Sequence, residues 1–165
     1  MAYRILTICT GNICRSPMAE YALREAVAQR PDLGEVQVES AGTTGYEVGN
    51  PVDPRAGALL RREGIDASAH RAQAVTREQL DRADLVLALD HDHVGPLQRL
   101  GGSRVADTLH LMRDFDPEAG EDTGIRDPWY GDESDFELAW SQITAAVPGI
   151  LEHVAQTRRG REAEQ

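Results

Sequence analysis

The aliphatic run "YRILTIC" (3–9) breaks directly into "TGNICRSP" (10–17) and then into a helical pattern. This opening restricts the chain more than any other feature. A buried, β-branched strand that feeds a helix is the first half of a βα unit, and it asks for a parallel sheet. Ser16 as N-cap, with Pro17 at the first helical position, predicts a helix running to about Gln29. Met18, Tyr21, Leu23 and Val27 form its inward face.

The rest of the chain repeats the alternation. "EVQVES" (35–40) reads as a half-exposed strand, and "AGTTGYEVGNPV" (41–52) as a loop. Asp53-Pro54 starts a helix over about 54–63 that Gly64 closes, and Thr76 with Gln79 gives a capping box for a short helix over 76–83. "DLVLALD" (84–90) is a core strand and "RVADTLHL" (104–111) a weaker one. An acidic loop rich in glycine and proline spans 113–132, and loops this long are functional or disordered. The last helix is expected over about 134–157, kinked or interrupted at Pro148. No repeat or linker divides the chain. The expectation is one α/β domain over 1–157 with a mainly parallel sheet, and "RRGREAEQ" (158–165) as a frayed tail.

Bulk properties exclude several function classes. Hydrophobic residues make up 41% and charged residues 27%, which rules out global disorder. No apolar run approaches the ~20 residues of a bilayer span, and "MAYRILTIC" is interrupted too soon for a signal peptide. A cytoplasmic location is expected, with the two cysteines as free thiols. The net charge of −11 argues against nucleic acid or an anionic membrane as partner, so an anionic ligand needs a local positive feature. All 17 basic residues are arginine, which excludes Schiff-base and Walker-type lysine chemistry.

Cys9 to Ser16 supplies such a positive feature. In open parallel sheets ligands bind beyond the carboxyl ends of strands, beside helix amino termini. Gly11 and Asn12 tolerate left-handed backbone. The stretch Thr10, Gly11, Asn12, Ile13, Cys14 can therefore turn successive N–H groups inward around a tetrahedral anion, with the helix start behind them. Arg15 adds a planar fork for two phosphoryl oxygens. The same surroundings favour thiolate at Cys9, which makes it the nucleophile, and the Ser16 hydroxyl can stabilise it as a leaving group. Such catalysis needs no cofactor and no metal. A zinc site takes about four ligands, and the chain has no third cysteine. His91 and His93, in "DHDHVGP", read as a polar helix start on the surface.

Cleavage of a phosphate ester also needs a proton for the departing oxygen. "RDPWYGD" (126–132) holds Asp127 before a proline that restricts its backbone. Partly shielded by Trp129 and Tyr130, Asp127 can keep its proton and act as a general acid. The competing reading is an ordinary Asp-Pro turn whose aromatics cap the edge of the core.

"CTGNICRS" (9–16) together with the late Asp-Pro and its aromatic pair resembles the low-molecular-weight protein tyrosine phosphatases. "ESAGTTGYEVGNPVDPRA" (39–56), "GIDASAHRAQAVT" (64–76) and "DLVLALD" are similar to that family's intervening segments, so the likeness reaches to about residue 155. The resemblance implies a four-stranded parallel sheet flanked by helices and a phosphocysteine enzyme acting on tyrosine-phosphorylated proteins, with Cys9, Arg15 and Asp127 in the roles just given; a monomer is the default expectation. It further implies that Asn12, Ser16, Ser40 and His70 form a hydrogen-bonded set that shapes the loop. By the same resemblance Tyr46 is expected on one aromatic wall of the pocket, and Trp129 and Tyr130 on the other. Glu47 and Asn50 sit near the expected mouth. Many members carry tyrosine where this chain has Trp129.

Two rivals are weaker. Arsenate reductases with this cysteine loop need further cysteines, and none follows Cys14. A non-catalytic phosphotyrosine-binding protein has no use for both Cys9 and Asp127. Cys14 lies in the same tight loop as Cys9, so an oxidative Cys9–Cys14 disulfide that protects the nucleophile is a further expectation.

Overall fold

The computed structural model describes residues 1–165. Four parallel strands, β1 (Tyr3–Cys9), β2 (Val36–Gly42), β3 (Leu85–Ala88) and β4 (Leu109–Leu111), make one sheet in the order β2-β1-β3-β4. The register pairs Cys9 with Gly42 on one side and Ile8 with Ala88 on the other. Alternation along β1 sorts its side chains onto two faces. Tyr3, Ile5 and Cys9 join a core with α1 (Arg15–Ala28), α2 (Pro54–Arg62) and α5 (Glu133–Ala163), through Met18, Leu23, Leu60, Phe136 and Ile143. Leu6 and Ile8 join a smaller core with α3 (Arg77–Arg82) and α4 (Val94–Gly101), through Leu80 and Leu97. The chain leaves β1 for β2 on one side and later returns to β3 on the other. The end of β1 is thus the switch point where such sheets open a crevice. No helix is long and apolar enough to cross a membrane.

Several elements differ from expectation. Helix α1 begins at Arg15, with Cys14 in the N-cap position and no side-chain cap. The Ser16 hydroxyl is occupied within the site, and Pro17 falls inside the first turn, where no helical acceptor for its N–H is lost. Only Leu109–Leu111 of the 104–111 segment is strand, because Gly102–Val105 closes α4 as a 3-10 turn.

Helix α5 continues through Pro148 to Ala163. Val147, Ile150 and Leu151 bury its flanks, and Gly149 lets its backbone meet the Phe115 carbonyl where a Cβ would overlap it. The expected frayed tail is helical as well. Arg158 donates to the carbonyls of Leu33, Met1 and Glu35, and Arg161 pairs with Asp84. The 113–132 loop is also held. Arg113 donates to the carbonyls of Asp122, Gly124 and Ala119, and 3-10 turns form at Met112–Phe115 and Pro128–Tyr130.

Candidate active site

Cys9 ends β1 buried, with its Sγ 3.0 Å from the Ser16 Oγ. Of Gly11 and Asn12, only Asn12 takes left-handed backbone, at φ 61°. Its side chain is fully used. Nδ2 donates to Ser16 Oγ (2.8 Å) and Ser40 Oγ (2.9 Å), and Oδ1 accepts from the Gln73 N–H (2.9 Å). The Asn12 carbonyl accepts from His70 Nε2 at 2.7 Å. Ser40 in turn donates to Glu20 Oε1 at 2.5 Å, and Arg24 pairs with Glu20. Ser16 Oγ accepts from Asn12, and its own proton has two acceptors within reach, the Cys9 sulfur at 3.0 Å and the more distant Ala41 carbonyl at 3.5 Å. Donation to the sulfur is the polarity a thiolate needs.

Most of the loop's carbonyls are taken. Cys9, Thr10 and Ile13 oxygens accept from the N–H groups of Thr43, Thr44 and Asp53. The N–H groups of Gly11, Asn12, Ile13 and Cys14 donate to no protein acceptor, an arrangement suited to an anion. Arg15, also buried, donates from Nη1 to the Ile125 carbonyl (2.9 Å) and sits 3.6 Å from Asp90 and 3.5 Å from Asp127. Its Nε has no partner in the protein. Asp127 caps the Pro128–Tyr130 turn, with Oδ1 accepting from the Trp129 N–H at 3.1 Å.

These groups surround a cavity of about 140 Å³. Cys9, Arg15, Tyr46, Glu47, Asp127 and Trp129 line it, with Thr10, Gly11, Ile13, Cys14 and Thr44. Tyr130 does not line it and is 89% exposed at the surface beyond. Burial first, then the charges of Asp53 and Cys9, push the Cys14 thiol above its ordinary range, so Cys14 stays protonated. A larger groove of about 580 Å³ lies at the opposite end of the sheet. It holds no nucleophile, and Arg158 and Arg161 there are spent on carbonyls and Asp84.

Sequence reasoning missed two residues beside Arg15, Asp90 and His93. His93 is buried, contrary to the surface position expected of "DHDHVGP". Its Nδ1 accepts from the Asp90 N–H (3.0 Å), so Nε2 carries the proton and donates to Thr10 Oγ1 (3.0 Å). Burial and then the Arg15 charge push His93 down to about 3 from 6.5, which keeps it neutral. The missed signal was positional: "DHDH" follows β3, whose end lies beside the end of β1.

Residues 4–160 match the family described as low molecular weight phosphotyrosine protein phosphatase. The chain belongs to this family. It is 41% identical to the low molecular weight protein-tyrosine-phosphatase of Streptomyces coelicolor, over 99% of this chain and all of that one. It is 43% identical to low molecular weight protein-tyrosine phosphatase A of Mycobacterium tuberculosis, over 89% of this chain and 88% of its relative. The crystal structure of YfkJ from Bacillus subtilis superposes with a TM-score of 0.87 at 30% identity, covering 95% of this phosphatase-family chain and 97% of YfkJ. The four-stranded parallel sheet and the loop between β1 and α1 are those of a member of this phosphatase family.

Proposed function

We propose that the chain hydrolyses phosphotyrosine in proteins, and small aryl phosphates, through a phosphocysteine. The observation that carries the reading is that Cys9, Arg15 and Asp127 line one small cavity. The inward N–H groups and Arg15 hold the phosphoryl oxygens as charge spreads over them. The Cys9 sulfur attacks phosphorus, the P–O bond to the phenol breaks, and Asp127 gives its proton to the departing oxygen. Asp127 then takes a proton from water, which attacks phosphorus. The S–P bond breaks, phosphate leaves, and the Ser16 hydroxyl steadies the returning thiolate. Asn12, Ser40 and His70 hold the loop in the shape this requires. Cys9 and Asp127 end the cycle in their starting protonation states and nothing is oxidised or reduced, so the cycle asks for no redox cofactor. The enzyme acts as a cytoplasmic monomer, with no nucleic-acid or membrane partner.

The walls at Tyr46 and Trp129 suit a phenyl ring better than the short arm of phosphoserine. Wild type is expected to turn over phosphotyrosine peptides at least about 100-fold faster than phosphoserine peptides. Cys9→Ser should lose turnover while still binding inorganic phosphate; retained turnover in Cys9→Ser would refute the mechanism. We also assign a protective role to Cys14. Hydrogen peroxide converts the Cys9 thiolate to a sulfenic acid, the Cys14 thiol displaces water from it, and a disulfide forms. Cys14→Ser should then recover less activity than wild type when dithiothreitol follows peroxide, and equal recovery would remove this role.

A further inference from the structure

Arg55 stands outside the cavity, in the first turn of α2, yet it joins the two loops that the proposed reaction uses. Its backbone N–H and its Nε donate to Asp53 Oδ1 at 2.8 and 3.1 Å, and Nη2 donates to Asp53 Oδ2 at 3.1 Å. Its remaining end, Nη1, donates to the carbonyls of Trp129 (3.2 Å) and Gly131 (3.5 Å), which flank Tyr130. The guanidinium also lies over two rings, 4.6 Å from the centroid of Phe136 and 5.3 Å from that of Trp129. A planar fork can meet a carboxylate along one edge, carbonyls at the other end and aromatic faces on either side. An ammonium cannot.

Asp53, at the other end of this link, is itself fixed. It is buried, and its N–H donates to the Ile13 carbonyl of the phosphate loop at 2.8 Å. A continuous path therefore runs from the phosphate loop through Asp53 and Arg55 to the Pro128–Tyr130 turn. That turn is capped by Asp127 through the Trp129 N–H, so displacing the Trp129 backbone displaces the carboxyl group. Trp129 is also a wall of the cavity.

We propose that Arg55, braced by Asp53, is a positioning residue that holds Asp127 at its working distance from Cys9. The inference rests on the reading of Asp127 as the proton donor. It differs from a general stabilising role in one respect. Misplacing the donor hurts only those substrates whose leaving group needs a proton.

The test compares kcat/KM for phenyl phosphate with that for 2,4-dinitrophenyl phosphate, whose phenol is acidic enough to leave unaided. The variants are Arg55→Met, Arg55→Lys, Asp127→Ala and the Arg55→Met/Asp127→Ala double variant. In Arg55→Met the ratio should fall about tenfold from wild type, and in Asp127→Ala by about 100-fold or more. Arg55→Lys should lose most of what Arg55→Met loses, because charge without the fork cannot span both loops. The double variant should match Asp127→Ala in its ratio, since the donor is already gone. If Arg55→Met does not fold, Arg55→Lys carries the same comparison. An unchanged ratio in the Arg55 variants, with a fallen ratio in Asp127→Ala, overturns the positioning role alone. An unchanged ratio in Asp127→Ala removes the proton-donor reading, and the role of Arg55 with it.

Discussion

At Asn12 an L-residue adopts left-handed backbone, which costs about 1–2 kcal/mol. Four hydrogen bonds to Ser16, Ser40, Gln73 and His70 offset that cost and set the shape of the loop between β1 and α1. Thr10, at the other end of the loop, is fixed by His93, whose neutral form the burial and Arg15 enforce. This has a consequence for stability. In the unfolded chain His93 takes up a proton below its ordinary 6.5, whereas the folded chain refuses it until about 3. The contribution of His93 is therefore complete above pH 6.5 and declines as pH falls towards 3. Between pH 7 and pH 5 it should remove about 2 kcal/mol. His93→Gln can accept from the Asp90 N–H and donate to Thr10 but cannot titrate. Urea unfolding at both pH values should show wild type losing about 2 kcal/mol more than His93→Gln. Equal losses would exclude His93 as the titrating group.

Helices and strands were legible in the sequence where their signals are local, and less so where a distant partner decides. The Asp53 cap before Pro54 and the Thr76–Gln79 capping box form as read, because each involves residues within one turn. Ser16 has the composition of a cap, yet it is drawn away to Cys9 and Asn12. Pro148 carries a breaking signal worth about 3 kcal/mol, but the apolar face around it packs on the core and α5 passes through. The last turns of α5 are polar, and nothing local shows that Arg158 reaches carbonyls more than a hundred positions away. The site divides in the same way. Cys9, Arg15 and Ser16 sit in one contiguous motif, and Asp127 in a marked turn. Asp90, His93 and Arg55 enter only through strand order and loop packing, which single-residue patterns do not carry.

Across the whole molecule, the strand order β2-β1-β3-β4 brings the ends of β1 and β3 together, and the pocket that holds Arg15 forms there in a strongly negative protein. Arg15 and the start of α1 favour an anion only at short range. Asp90 and Asp127 flank the arginine, and Glu47 stands in the lining. Asp132, Glu133 and Asp135 follow the Pro128–Tyr130 turn at the start of α5, with Glu133 paired to Arg62. A phosphotyrosine therefore meets an attractive floor and a repulsive approach, and the residues beside it in a peptide feel mainly the approach. Peptides with arginine on both sides of phosphotyrosine should have kcat/KM about tenfold above peptides with glutamate there, measured at about 10 mM ionic strength. At about 0.5 M, where the Debye length is only a few ångströms, the two values should converge. A preference that persists unchanged in high salt would instead indicate direct contacts with the flanking side chains, and a preference for glutamate would contradict the negative surroundings as the source of selectivity.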